Sequence, residues 1–150
     1  MRIAFIAVLG VLMLGQFGCG FGGRALPDGA MALVPASGTL LYNNEPVSEA
    51  IIVFTPVDEH AGFPGGSART DMDGRFVLQA YPTHDGMVPA EYKVSAVKTE
   101  VIEIETTDPD ADKSIARSFL PEKYISYKTS GLTATIGPEG NQDLVIELRD

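Results

Sequence analysis

Residues 37–56 read SGTLLYNNEPVSEAIIVFTP, and the alternation of apolar residues in this stretch decides the fold class. Leu40 and Tyr42 are two residues apart, so they share one face of an extended strand. The pair Asn43-Asn44 follows directly and predicts a tight turn, because asparagine tolerates the positive φ angles that such turns require. The first half of the stretch therefore predicts a strand followed by a turn.

The second half, AIIVFTPV, predicts another strand with two distinct faces. Ala50, Ile52 and Phe54 would face inward, whereas Ile51 and Val53 would lie on the opposite face. Alternation of this kind is the period of a β-strand, in which successive side chains point to opposite sides.

Three further stretches outside residues 37–56 predict strands. SARTDMDGRFVLQA predicts a hairpin with Asp73-Gly74 at its turn. The longest run is AEYKVSAVKTEVIEIE. Several of its apolar residues are separated by even numbers of positions, so they could share one face of a single long strand: Tyr92, Val94, Ala96, Ile102 and Ile104. LTATI and DLVIELR complete the set, with their inward residues predicted as Leu132, Ile136, Leu144, Ile146 and Leu148.

These runs predict an all-β domain of about seven strands that form an antiparallel β-sandwich. No stretch shows a helical period over three turns. The formal charge of -9 argues against a nucleic-acid partner, which requires lysine and arginine to replace condensed counterions. The same charge argues against electrostatic docking to anionic lipids.

Residues 1–18 have the organisation of an export signal. Arg2 is the only charge before Arg24, and Ile3–Leu14 is almost continuously apolar. This core is too short for a bilayer span, which needs about 20 residues. A weak span remains the alternative if the apolar stretch continues to Gly23, although glycines disfavour a helix there.

Cys19 is the only cysteine, and it follows the apolar core between Gly18 and Gly20. This arrangement resembles the lipobox of bacterial lipoproteins, in which the signal is cut before a cysteine whose thiol then carries a diacylglycerol. Gln16 and Phe17 depart from the usual pattern, which has an aliphatic residue at the first of these positions and a smaller one at the second. The resemblance implies a lipid on Cys19 that holds the chain on a membrane, because two acyl chains anchor a protein firmly.

The alternatives for this segment are secretion without lipid and an uncleaved anchor. Residues 19–36 are rich in glycine and have no clear period, so they predict a tether. An aspartate after the cysteine would suggest retention in the inner membrane, but Gly20 stands there. By that analogy we expect an exported protein at the outer membrane or on the periplasmic side of the cell envelope.

The stretches SGTLLYNNEPVSEAIIVFTP, TDMDGRFVL and GMVPAEYKVSAVK resemble the carboxypeptidase regulatory-like domain. The resemblance is closest to small bacterial lipoproteins built from one such domain, and it covers nearly all of residues 36–148. It implies a transthyretin-like sandwich, related in architecture to immunoglobulin domains, that serves as an accessory module. The motifs are turn and core signatures, and they carry no reaction.

Two groups of residues were considered as metal ligands. Asp108, Asp110 and Asp112 have the spacing of the first ligands in a calcium loop, but Lys113 stands where that loop needs glycine. A solvated acidic loop is therefore favoured over a weak calcium site. His60 and His84 have no third histidine and no later cysteine to complete a zinc site, so they are predicted to be surface residues.

No catalytic residue and no cofactor is predicted. The expected function is that of a non-enzymatic, lipid-anchored envelope module that binds a protein or glycan through the loops 58–68, 82–90 and 105–118. One alternative is a purely structural envelope lipoprotein. The other is a small metal-binding or enzymatic domain that uses the histidine loops or the acidic residues 108–112.

Overall fold

The computed structural model describes residues 26–103 and 114–150, which form twelve strands and one short 3₁₀ helix at Glu122–Tyr124. The strands are β1 (Ala36–Tyr42), β2 (Glu45–Pro46), β3 (Ile51–Pro56), β4 (Gly66–Arg69), β5 (Arg75–Val77), β6 (Gln79–Tyr81), β7 (His84–Asp85), β8 (Ala90–Val97), β9 (Thr99–Glu103), β10 (Ser114–Ser118), β11 (Leu132–Ile136) and β12 (Asn141–Leu148). The count exceeds the seven expected because β2, β6 and β7 are additional strands of two or three residues, and because β9 and β10 form a separate ribbon. The described residues include no α-helix and therefore none that could cross a membrane.

The strands form two sheets and a separate ribbon. The larger sheet has six strands in the order β11-β8-β3-β4-β6-β7. The smaller sheet has the order β12-β1-β2, and β5 also pairs with β1. The ribbon consists of β9 and β10. One apolar core lies between the two sheets, and the contact of Phe54 in β3 with Phe76 in β5 joins them. The predicted all-β sandwich is confirmed.

The alternation predicted for β3 is confirmed. Ala50, Ile52 and Phe54 are completely buried, whereas Ile51 and Val53 are exposed on the outer face of the larger sheet. In β12 the three residues predicted to face inward are also buried: Leu144, Ile146 and Leu148. Period-two patterning therefore identified the core face of both strands correctly.

One strand pair differs from the antiparallel arrangement expected. β1 and β12 pair in parallel, with Thr39 opposite Val145. The loop 137–140 returns the chain to the beginning of β1, where the N–H of Asn141 donates to the carbonyl of Pro35 at 2.9 Å. Both strands consequently start from the same end of the sheet.

The two predicted turns have different outcomes. Asn43 and Asn44 have φ angles of 50° and 67°, and they connect the antiparallel strands β1 and β2 as predicted. The residues around Asp73-Gly74 also form a turn, and Gly74 has a φ of 72°. The predicted hairpin is nevertheless wrong, because β4 pairs with β3 and β5 pairs with β1. The turn carries the chain from one sheet to the other.

The run from 90 to 105 forms two strands instead of one. β8 ends at Val97 between β3 and β11, and β9 begins at Thr99 and pairs only with β10. Tyr92, Val94 and Ala96 are buried as expected, but Ile102 is 37% exposed in the ribbon. Ile104 lies outside the described residues.

The first strand begins at Ala36, and a single bridge precedes it. Val34 pairs with Met87, and each N–H donates to the other residue's carbonyl at 2.9 Å. The chain is therefore attached to the sandwich two residues before β1, inside the segment predicted as a tether.

Candidate functional site

Several residues singled out from the sequence lie outside the described residues. These are the predicted lipidation site Cys19 and the weaker calcium candidates Asp108, Asp110 and Asp112. The lipid anchor and the acidic loop therefore stay predictions.

The two histidines lie in different surroundings. His60 is almost fully exposed in the loop after β3, where its backbone N–H donates to Oδ1 of Asp58 at 2.9 Å. His84 is half-buried in β7, and its Nδ1 lies 3.0 Å from the carbonyl oxygen of Pro82. Within residues 26–103 and 114–150, no three histidine, cysteine, aspartate or glutamate side chains lie close enough to hold a metal ion.

The loop 82–90, expected as a binding surface, is partly buried and partly exposed. Met87 and Val88 are buried. The hydroxyl of Tyr92, at the start of β8, donates to the carbonyl of Val88 at 2.6 Å and fixes the end of this loop. Burial of the phenol raises the pKa of Tyr92 to about 12. Pro82, Thr83, Asp85 and Pro89 stay exposed, so the binding role expected of this loop stays a prediction.

A concave surface in the described part of the chain lies on the outer face of the smaller sheet. We call it the outer groove, and its volume is about 750 Å³. Its lining consists of residues from β1, β5 and β12 and from the turn between β4 and β5: Ser37, Gly38, Thr39, Arg69, Asp71, Arg75, Phe76, Val77, Gln142, Asp143, Leu144 and Val145.

Strand register places the main side chains of the outer groove in one row. Arg75 of β5 lies opposite Thr39 of β1, which lies opposite Val145 of β12. Val77 and Val145 are more than half exposed, so the groove offers apolar surface to a ligand. The backbone of three paired strands forms its floor, and rigid elements of this kind hold side chains more precisely than loops do.

Close packing of β1 against β12 depends on a glycine. A Cβ atom at Gly38 would overlap the backbone carbonyl of Leu144 in the neighbouring strand. Ser37 closes the same pair of strands from the side, because its hydroxyl donates to the carbonyl of Gln142 at 3.1 Å. The floor of the outer groove therefore requires a small residue at position 38.

The charged side chains of the outer groove differ in whether another group of the protein already binds them. Arg69 is paired with Glu49, whereas the guanidinium of Arg75 has no carboxylate partner within the described chain. Oδ1 of Asp71 accepts the backbone N–H groups of Asp73 and Arg75 at 2.9 Å and 2.8 Å, so that carboxylate is engaged in the turn. Arg75 is left available to a ligand carboxylate or phosphate, which guanidinium groups bind in bidentate geometry.

The sequence analysis did not identify the outer groove. The alternation of residues along the strands did contain a signal for this groove. Thr39, Val77 and Val145 each lie next to core residues in the sequence, so their side chains face outward. Their meeting on one surface depends on the pairing of β5 and β12 with β1, and neither pairing was predicted.

The carboxyl end of β12 is fixed by two tyrosines. The hydroxyl of Tyr124 donates to the carbonyl of Arg149 at 2.7 Å and accepts the N–H of the same residue at 2.9 Å. The hydroxyl of Tyr42 donates to Oδ1 of Asp150, and Asn43 donates to Oδ2 at 3.0 Å. The hydrogen bond between Tyr42 and Asp150 raises the pKa of the phenol and lowers that of the carboxyl group.

Comparison with known proteins does not add a family to this description. No protein-family model and no curated protein matches the chain. A solved structure, a 9R-lipoxygenase from Cyanothece PCC8801, is 20% identical over 78% of this chain, with a TM-score of 0.34. This chain spans 16% of the lipoxygenase, and a likeness this distant carries no argument about activity.

Proposed function

We propose that this chain is a non-enzymatic, lipid-anchored β-sandwich module of the bacterial cell envelope, and that it binds a partner protein or a glycan in the outer groove. The observation that carries the proposal is the row of Arg75, Thr39 and Val145, which combines an available guanidinium with exposed apolar surface on paired strands. The resemblance to carboxypeptidase regulatory-like domains supports the accessory, non-catalytic character.

The chemistry of the groove favours a ligand with an acidic group beside an apolar portion. Arg75 would bind a carboxylate or another anion, while Val77 and Val145 would contact the apolar portion. An acidic peptide segment and an acidic sugar both meet this description. The rigid floor means that little ordering entropy is lost on the protein side when such a ligand binds.

The groove is tested by site-specific photocross-linking in living cells. A benzophenone amino acid at Thr39 lies in the outer groove, and the same group at Thr133 lies in β11 on the outer face of the other sheet, as the matched control. We expect a discrete cross-linked species from position 39 and none from position 133. Loss of that species in an Arg75→Gln variant would assign the contact to the guanidinium.

Equal cross-linking from both positions, or none from either, would contradict the proposed binding role and favour a purely structural lipoprotein. A glycan partner is distinguished from a protein partner because glycosidase treatment would return a cross-linked glycan species nearly to the size of the free chain and would leave a cross-linked protein partner in place.

The anchor is tested separately by metabolic labelling with a palmitate analogue. The proposal rests on Ile3–Leu14 followed by Cys19. We expect the label on the wild-type chain and none on a Cys19→Ser variant, which should leave the membrane fraction. A Cys19→Ser variant that remains with the membrane would contradict lipid anchoring and leave the binding proposal intact.

A further inference from the structure

Strand β12 ends the smaller sheet, and its outer edge is open in the described chain. It contains eight residues and pairs only with β1. Edge strands with free backbone groups can pair with a strand from another molecule. The question is which backbone groups of β12 are free.

The register of the ladder identifies those groups. Leu148 directs its carbonyl toward β1, because that carbonyl accepts the N–H of Asn43 at 2.9 Å. Backbone groups of alternate residues in a strand point to opposite edges. The ladder is irregular between Asn141, which itself donates to Pro35, and Leu144. From Leu144 onward the even-numbered residues face β1, while Val145, Glu147 and the following Arg149 face the outer edge.

At both ends of this edge, side chains of the same molecule form hydrogen bonds with backbone groups. Oδ1 of Asn141 accepts the N–H of Asp143 at 3.2 Å. Tyr124 satisfies both the N–H and the carbonyl of Arg149. Between these caps, Val145 and Glu147 keep their N–H and carbonyl groups open, and Val145 is 63% exposed. We call the N–H and carbonyl groups of Val145 and Glu147 the window; these four backbone groups lie on either side of Ile146.

We propose that this window pairs with the same window of a second copy of the chain, in an antiparallel arrangement about a two-fold axis at Ile146. Val145 of each copy then lies opposite Glu147 of the other, and the four open groups on each strand form four intermolecular hydrogen bonds. Because an isologous contact is self-complementary, each open group of Val145 and Glu147 has a partner on the other copy.

Charge complementarity favours a second copy over an unrelated strand. In this register Asp143 lies opposite Arg149 of the second copy, and both residues are exposed. The guanidinium of Arg149 also binds Glu147 of its own chain at 2.9 Å, so Asp143 of the second copy would be its second carboxylate partner. Opposite charges in directly facing positions stabilise an antiparallel pair. The two smaller sheets would become one continuous sheet with both outer grooves on the same face. The contact does not depend on what the grooves bind.

The pairing is tested with the full chain in density-matched detergent micelles, by sedimentation equilibrium over a range of concentrations. Val145→Pro removes an N–H of the window without removing a bond to β1. Val77→Pro is the matched control, because Val77 is an exposed residue of β5, which pairs with β1 on the side away from β12. Circular dichroism establishes that both variants keep their strands.

We expect the mass of the wild type and of Val77→Pro to rise from one chain to two with concentration. Val145→Pro should remain at one chain throughout. A wild type that remains at one chain, or a Val145→Pro variant that dimerises like the wild type, would overturn the proposal.

A charge swap provides a test that does not depend on proline. Asp143→Arg places two arginines opposite each other and should shift dimerisation to at least tenfold higher concentration. Adding Arg149→Asp restores opposite charges and should reverse most of that shift. A double variant no better than the single one would contradict the proposed register.

Discussion

In the larger sheet the long strands β3 and β8 are paired on both edges, whereas in the smaller sheet the long strand β12 pairs only with β1 within the described chain. In the larger sheet, Phe54 and Tyr92 lie on neighbouring central strands with ring centroids 6.0 Å apart, and both are completely buried. In the smaller sheet, Val77, Val145 and the unpaired Arg75 face solvent. Both sheets bury large side chains in the common core, and the smaller sheet also carries the outer groove in which we propose that a ligand binds.

The same contrast appears in how each sheet is assembled. β3 and β8 pair along six residues, from Ile51–Val97 to Pro56–Tyr92. The smaller sheet instead depends on a long-range parallel pair, β1 with β12, that closes only after the rest of the chain has folded back. Four substitutions test this division, and they are ordered by expected effect.

The largest effect is expected for Phe54→Ala in the larger sheet. The variant loses a fully buried ring that contacts both Tyr92 and Phe76, so the free energy of unfolding should fall by about 3–5 kcal/mol. Urea unfolding measures the change. Val53→Ala, on the exposed face of the same strand, should cost less than about 1 kcal/mol. Similar losses in both variants would show that the core is not where the structure places it.

Gly38→Ala should destabilise the smaller sheet by about 1–3 kcal/mol, because its Cβ would force β12 away from β1. Hydrogen exchange should show lost protection in β12 while β3 and β8 stay protected. The control is Gly137→Ala, since a Cβ at that position has no heavy atom within 4 Å. Uniform loss of protection across both sheets would mean that the sheets do not respond separately.

Tyr92→Phe should reduce stability by about 1–2 kcal/mol, because the buried carbonyl of Val88 loses its donor. The variant also changes the pH dependence. Since burial raises the folded pKa above the usual 10 to about 12, the wild type should keep this stabilisation below pH 10 and lose it as the pH rises toward 12.

The phenylalanine variant lacks this ionisation, so the difference in free energy of unfolding between the two proteins should become smaller above pH 10. Urea unfolding at about pH 8 and about pH 11 measures it. If the difference in free energy of unfolding did not change with pH, the burial of Tyr92 as a neutral phenol would be contradicted.

The smallest effect on stability is expected for Arg75→Gln. The guanidinium has no carboxylate partner within the described chain, so the free energy of unfolding should change by less than about 0.5 kcal/mol. Cross-linking from Thr39 should nevertheless be lost. Arg117→Gln, an exposed arginine of the ribbon, is the control and should leave both measurements unchanged. A large loss of stability would mean that Arg75 supports the fold.

Local patterns in the sequence predicted local structure well. The alternation in β3 and β12 identified the buried residues, and Asn43-Asn44 identified a hairpin turn. The same reasoning failed for Asp73-Gly74, where Asp71 organises the turn through hydrogen bonds to neighbouring backbone groups. Those bonds fix the turn but do not specify the sheet that receives the next strand.

The candidate site was harder to predict than the fold. The chain was expected to bind through loops, and in the loop 82–90 the core takes up only Met87 and Val88 among the large side chains. The outer groove joins Arg75, Thr39 and Val145, which are up to 106 positions apart, and only strand pairing brings them together. The proposed lipid on Cys19 stays a prediction from the sequence alone.

The sequence by itself determined that this protein is all-β, and it determined which face of several strands is buried. It could do so because alternation and turn propensity are properties of neighbouring residues. Only the tertiary structure decided that β1 and β12 are parallel, that the chain changes sheets at Gly74 and that strand β12 has an open edge. These features depend on which distant segments bury apolar surface together, and a period along the chain does not contain that information.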